Sequence, residues 1–185
     1  GDRIEVGAQR GDVIDIGLLY TSVLEIGEWV DGDQATGRIN ALPNGLILSA
    51  PVHNFTKDHG FLWDEIVLPI THSSDWQRAI REIQQIVSEL TASATEQARK
   101  EVEKLEEKYY LSKRNMEPAI FINPTDNWIA LHIRYVTKVR DRRIVRNELL
   151  EKILGALPAM EGVAIASETL TVTNTPAANQ SGASK

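Results

Sequence analysis

The sequence contains no cysteine, which excludes a disulfide framework and thiolate metal sites. It has no run of about 18 to 20 consecutive apolar residues, the length that a membrane span requires. The amino end lacks the basic, apolar and small-residue layout of a signal peptide. Its 185 residues, 42% of them hydrophobic and 25% charged, are typical of a globular protein with one large or two small domains.

Motifs for catalysis and cofactor binding are also missing. There is no Gly-x-Ser-x-Gly elbow, and the segment 7–11 has neither the dinucleotide nor the Walker pattern of glycines. His53 and His59 form the one close histidine pair, and their spacing of six fits no common zinc motif, so solvated loop histidines are the better interpretation. We therefore expect no enzyme activity, no cofactor and no metal ion.

Charge and glycine are unevenly distributed. Residues 1–60 carry four basic and nine acidic side chains, a net charge of −5 out of −6 for the whole chain. Such a surface repels a phosphate backbone, so we expect no nucleic-acid partner. Nine of the twelve glycines also lie in this part, as is typical of short strands joined by tight turns.

The first 60 residues are predicted to be a β-domain. In the first strand Ile4 and Val6 alternate with Arg3 and Glu5. The further predicted strands are Val13–Ile16, Thr21–Ile26, Arg38–Leu42 and a closing pair, Leu46–Ser49 with Val52–Phe55. Gly11, Gly37 and Gly45 are expected to supply positive φ or turn geometry.

Beyond residue 60 the pattern is that of an α+β domain. A strand, Phe61–Ile70, precedes a helix with caps at Ser73–Asp75 and a capping-box spacing of Ser74 and Gln77. Its apolar stripe consists of Trp76, Ala79, Ile80, Ile83, Val87 and Leu90. The remaining predicted elements are a charged helical segment Glu96–Lys113, strands Ala119–Asn123 and Trp128–Val136, a helix from Asp141 to Leu154, and a final strand Glu168–Thr173.

These patterns divide the chain. We predict a β-domain at 1–60, an α+β domain at 61–167 with a helical insertion at about 91–117, a C-terminal strand at 168–175 and a disordered tail at 176–185. The order of elements in the second domain resembles the ferredoxin-like α+β fold.

An ordered set of motifs in the first third resembles the β-domain of the small-conductance mechanosensitive ion channel (MscS) family. The set comprises Gly1-Asp2-Arg3, Gly11-Asp12-Val13, the strand that begins at Thr21, Leu42-Pro43-Asn44-Gly45, and Asn54-Phe55. The resemblance implies an Sm-like small β-barrel at the amino end. It also implies transmembrane helices upstream, in the inner membrane, with this portion in the cytoplasm; the start without Met fits a piece of a longer protein.

The family's function implies roles for particular residues. Such channels are homo-oligomers, here expected to be heptamers, that release ions and small osmolytes when membrane tension rises. Gly1, Asp2 and Arg3 would lie near the membrane and pore exit, with Arg3 near lipid headgroups. Pro43, Asn44 and Gly45 would form a structural turn, and the terminal barrel strand would consist of Thr169, Leu170, Thr171 and Val172.

Several alternatives stay open at this stage. Asn44 is expected to hydrogen-bond within its own turn, and the four tryptophans favour core or subunit contacts over a ligand cage. Acidic residues of the β-domain either bias the ion path towards cations or form a solvated face: Asp12, Asp15, Glu25, Glu28, Asp31 and Asp33. The alternative function is a soluble Sm-like and ferredoxin-like module that binds a small ligand or serves as an oligomeric scaffold.

Overall fold

The computed structural model describes residues 1–27, 34–110, 112 and 115–167 and shows a mixed α+β protein with two antiparallel sheets. The first sheet has five strands in the order β4-β3-β2-β1-β5. They are β1 (Arg3–Val6), β2 (Gln9–Ile16), β3 (Tyr20–Ile26), β4 (Ala35–Pro43) and β5 (Val52–Asn54), and a short helix α1 (Asn44–Ser49) connects the last two.

The second sheet has three strands in the order β6-β8-β7. They are β6 (Phe61–Ile70), β7 (Ala119–Pro124) and β8 (Ile129–Lys138). Helix α2 (Trp76–Tyr109) connects β6 to β7, and helix α3 (Arg142–Ala156) follows β8 and precedes a 3-10 turn, Leu157–Ala159. Alternate residues of β6 and β8 face the helices, as the period of two predicts. Together they form the main core: Ile66, Leu68, Ile70, Leu131, Ile133 and Tyr135 from the strands, and Ala79, Ile83, Val87, Leu149 and Ile153 from the helices.

Glycines have distinct roles in the first sheet. Gly7, with φ of +59°, makes the tight turn between β1 and β2, and Gly37 adopts φ of +86° in β4. Gly11 has no positive φ, but a Cβ at this position would lie 2.5 Å from the carbonyl oxygen of Leu24 on the neighbouring strand. The expectation for Gly45 is wrong in part, since its φ is not positive and a Cβ there would meet open space.

The segment Leu46–Ser49 is helical, which corrects the predicted strand. A short apolar run cannot be assigned by periodicity alone, because a helix turn and a strand accommodate it equally well. Here Ile47 packs on the core of the first sheet while Leu46 and Leu48 face outwards, and the Ala50 amide closes the helix on the Leu46 carbonyl at 2.9 Å.

Helix α2 is continuous over 34 residues, where the sequence suggested two segments. Its N-cap is Asp75, whose Oδ1 accepts from the Arg78 amide at 2.9 Å, so the predicted Ser74 and Gln77 capping box is wrong. Ser74 instead donates to the carbonyl of Ala164 at 3.3 Å. Tyr110 ends the helix in the left-handed region with φ of +53°.

The other predicted elements of the second half are close to those observed. Strands β7 and β8 and helix α3 agree within about two residues, although Asp141 precedes α3 without a side-chain cap bond. The final strand, Glu168–Thr173, lies outside the described residues. Within the described ranges no pairing joins β4 to β5, so no closed barrel is found. No helix of the described ranges is both long and apolar enough to cross a membrane.

Candidate functional site

The amino end is held by an ion pair between neighbouring strands. Arg3 faces Asp12 across the β1–β2 ladder, and its Nε and Nη2 donate to the two carboxylate oxygens at 2.9 and 3.0 Å. Burial acts to raise the pKa of Asp12, but the hydrogen bonds and charge of Arg3 outweigh it and hold that pKa below the ordinary value. Arg3 is only 6% exposed in this structure, and its expected position near lipid headgroups stays a prediction.

The same residues connect the first sheet to the second. Arg3 Nη1 donates to the carbonyl of Val139 at 3.4 Å, and Arg140 donates to the carbonyl of Gly1. The Val139 amide in turn donates to the carbonyl of Gly60 at 2.9 Å. Because Val139 and Arg140 lie in the turn between β8 and α3, these bonds tie the start of the chain to the second sheet.

A buried carboxylate organises the opposite edge of the first sheet. Glu25 is 2% exposed and accepts from Thr36 at 2.7 Å, from Arg38 at 2.6 Å and from Asn40 at 2.8 Å. Burial raises its pKa, and these hydrogen bonds lower it by more, so the net pKa lies below the ordinary value. The paired carboxylates Asp12 and Glu25 are therefore structural, which leaves Asp15 as an exposed acidic residue of the described set.

Asn44 fastens the β2–β3 hairpin to the β4–α1 junction. Its Nδ2 donates to the carbonyls of Gly17 and Leu18 at 2.9 and 3.0 Å, and its Oδ1 accepts from Thr21 at 2.8 Å. The Asn44 amide also donates to Leu19 at 2.8 Å. The expected bond within its own turn is thus replaced by four bonds to a hairpin more than twenty residues away.

The hairpin that Asn44 holds displays a large apolar surface. Leu18 is 94% exposed at its tip, and the neighbouring strands and α1 add further exposed apolar side chains. This exposed apolar set comprises Ile14, Ile16, Leu18, Leu19, Tyr20, Ile39 and Leu48. Exposed apolar residues in such number mark an interaction surface more often than a solvated face.

A second buried ionic cluster was not predicted from the sequence. Asp64 on β6 accepts from the Tyr135 hydroxyl at 2.8 Å and from Arg142 Nε at 2.9 Å, with Arg146 at 3.6 Å. Burial, followed by the hydrogen bond to Asp64, raises the pKa of Tyr135 far above its ordinary value. The cluster joins β6, β8 and the first two turns of α3, and no motif in the sequence signals it.

The histidines do not converge on a site. His53 lies on the exposed strand β5, and His132 contacts Glu65 at 2.7 Å on the second sheet. No group of three or more His, Cys, Asp or Glu side chains suited to a metal ion occurs among the described residues. Of the four tryptophans, Trp29 lies outside the described residues. The guanidinium carbon of Arg134 lies 4.0 Å from the centroid of the Trp63 ring.

The first third of the chain is similar to a known protein family. The family model described as "Mechanosensitive ion channel, beta-domain" matches residues 1–57. The match covers 57 of the 185 residues. The resemblance inferred from the ordered motifs is therefore confirmed. The β-domain contains both the Arg3–Asp12 pair and the Asn44 bonds.

Two solved channel structures share the fold of nearly the whole chain. Helicobacter pylori MscS in its closed state matches with a TM-score of 0.59 and 22% identity, over 95% of this chain and 59% of that chain. AtMSL1 wild type matches with a TM-score of 0.59 and 19% identity, over 91% of this chain and 50% of that one. The chain thus spans between half and three fifths of the length of these channels. No curated protein matches it by sequence.

Proposed function

We propose that this chain is the cytoplasmic vestibule portion of an inner-membrane mechanosensitive ion channel, which releases ions and small osmolytes during hypoosmotic shock. The observation that carries the proposal is the β-domain match at 1–57, together with a shared fold that extends over 95% of the chain. The chemistry of this portion is architectural: it shapes and filters the path of ions that a separate membrane part opens.

The proposed architecture is an Sm-like β-domain at 1–60, a ferredoxin-like domain at 61–167 and a terminal strand at 168–175. The strand order β6-β8-β7 supports the second domain, because it leaves one side of β6 for a fourth strand. Ile165 forms an antiparallel bridge with Ile70 on β6, next to that position. The terminal strand of Thr169, Leu170, Thr171 and Val172 stays a prediction.

Assembly into a homo-heptamer is part of the proposal. The exposed apolar set on β2, β3, β4 and α1 supports subunit contacts, because its burial would remove apolar area from water at about 25 cal/mol per Å². Among the described residues, the outer edges of β4 and β5 are unpaired and offer backbone groups with which a neighbouring subunit can pair. The position of Gly1 and Asp2 beside the pore exit stays a prediction. Arg3 would connect that end of the chain to the second sheet through its buried bonds to Asp12 and Val139.

The test is survival of osmotic downshock. The full-length parent protein is expressed in bacteria that lack their own mechanosensitive channels. Two further strains carry a version that starts at Gly1, without the part upstream of it, or an empty vector. We expect the full-length protein alone to rescue the cells. Equal survival of all three strains would contradict the proposal and favour the soluble-module alternative.

A further inference from the structure

A cleft of the described residues lies where helix α2 passes the connection between the two sheets. Its volume is about 350 Å³, within the range of roughly 300 to 1,000 Å³ that small-molecule sites occupy. The walls are apolar and include Phe61, Trp63, Ala98, Val102, Leu105 and Met116. Aromatic and aliphatic walls of this kind accept the hydrocarbon part of a ligand.

A polar depression of about 260 Å³ adjoins the cleft. The two share Asn54, Phe55, His59 and Leu105 in their walls, so an apolar interior grades into a polar mouth. A ligand with an apolar body and a polar head matches this gradient, whereas a fully apolar ligand would leave the mouth unused.

The charges at the mouth indicate the sign of that head. Asp58 is already neutralised, since Lys108 Nζ lies 3.1 Å from one carboxylate oxygen and the Tyr109 hydroxyl donates to the other at 3.3 Å. The Glu101 carboxylate accepts from the Gly60 amide at 3.2 Å. Lys57 makes no hydrogen bond or ion pair with the described part of the chain, and its ammonium group, whose charge helps to lower the pKa of Asp58, is a further cation at the mouth.

From this geometry we infer that the cleft binds a small amphipathic anion, of the class of medium-chain carboxylates. The hydrocarbon part of the ligand would lie between α2 and β6, and its carboxylate would contact Lys57 and the ring of His59 at the mouth. Because the walls come from the segment that joins the sheets as well as from α2, a bound ligand would contact both. The inference does not depend on the proposed channel function.

Binding is measured on the purified chain with 8-bromooctanoate, whose bromine quenches tryptophan fluorescence on contact. We expect saturable quenching that Trp63→Phe removes, while octanoate still raises the melting temperature of that variant. Affinity should rise about fourfold for each methylene from hexanoate to octanoate, as burial of a CH₂ group predicts. Quenching without saturation, or affinity independent of chain length, would overturn the inference.

Matched variants locate the site. Ala98 faces the cleft and Ala92 lies on the exposed side of the same helix. Ala98→Phe should abolish octanoate binding by filling the space, and Ala92→Phe should leave it unchanged; equal binding by both variants would contradict the site. If circular dichroism shows that Ala98→Phe does not fold, Leu105→Trp at the mouth takes its place with the same expected result.

A second pair of variants tests the head group. Lys57→Gln should weaken octanoate about two- to fivefold, the range of an exposed ion pair, and leave 1-octanol binding unchanged. Lys152→Gln, on the exposed surface of α3, is the control and should change neither ligand. Equal weakening of octanoate and octanol by Lys57→Gln would contradict the anionic head.

Discussion

The Thr21 hydroxyl donates to the side-chain oxygen of Asn44 at 2.8 Å, and this bond joins strand β3 to the start of helix α1. Nδ2 of the same side chain donates to the carbonyls of Gly17 and Leu18 in the β2–β3 connection. A single side chain therefore fixes the hairpin that presents Leu18, and the Pro43-Asn44-Gly45 segment acts through tertiary contacts more than through its own turn.

Replacement of Asn44 by alanine should lower the free energy of unfolding by about 1 to 2 kcal/mol, because the Thr21 hydroxyl and two carbonyls lose their partner. Urea denaturation followed by circular dichroism measures the change. Asn127→Ala is the control, since the Asn127 side chain makes no hydrogen bond within the described residues. Equal loss in the two variants would show that Asn44 has no special role.

Gly11→Ala should destabilise the protein by about 1 to 3 kcal/mol, the usual cost of forced overpacking. The new Cβ would meet the Leu24 carbonyl oxygen at 2.5 Å, and this oxygen belongs to the backbone of a paired strand. Gly45→Ala is the matched control: it has free space in helix α1 and should be neutral or stabilising by about 0.5 to 1 kcal/mol. Thermal unfolding of both variants should rank them in this order, and a neutral Gly11→Ala would refute the close approach.

The Arg3–Asp12 pair predicts a specific pH dependence. Because the folded-state pKa of Asp12 is lowered, the pair stabilises the fold above the ordinary carboxyl pKa of about 4, and this contribution is lost as pH falls through the folded-state value. Arg3→Gln should therefore cost about 1.5 to 3 kcal/mol at neutral pH and less in acid. Urea titrations from about pH 7 down to about pH 3 measure the difference.

The control for that experiment is Arg99→Gln, which breaks an exposed ion pair with Glu96 on α2. Its effect should stay below about 1 kcal/mol. If Arg3→Gln and wild type differ by the same amount at every pH, Asp12 does not depend on Arg3 in the way described.

Tyr135→Phe should lower the free energy of unfolding by about 1 to 2 kcal/mol, because Asp64 is buried and loses a hydrogen-bond donor. Tyr20→Phe, on an exposed side chain, should have almost no effect. Denaturant unfolding of the two variants measures the contrast, and equal stability would mean that Arg142 and Arg146 satisfy Asp64 alone.

The sequence predicts the second sheet well because its signals are local. Alternation at Ile129, Leu131, Ile133 and Tyr135 marks the buried face of β8, and these residues do face the main core or its rim. The strand predicted at Leu46–Ser49 is wrong because its local signal is too short. A four-residue run has too few positions to distinguish a period of two from one of 3.6.

The candidate site was predicted in part. The ordered motifs identified the β-domain, but the pairings of Arg3 with Asp12 and Val139 join positions up to 136 residues apart. Contacts of that kind depend on how the two sheets meet, which no periodicity reports. Asn44 was expected to bond within its own turn, and its partners on β3 and in the β2–β3 connection became visible only in three dimensions.

The central claim is that these residues form the vestibule of a tension-gated pore, and electrical recording tests it most directly. Suction applied to membrane patches that contain the full-length parent protein, in cells without other mechanosensitive channels, should open discrete single-channel currents. Patches from cells with the empty vector should stay silent. Complete absence of tension-dependent current at suctions up to patch rupture, with the protein present in the membrane, would contradict the account.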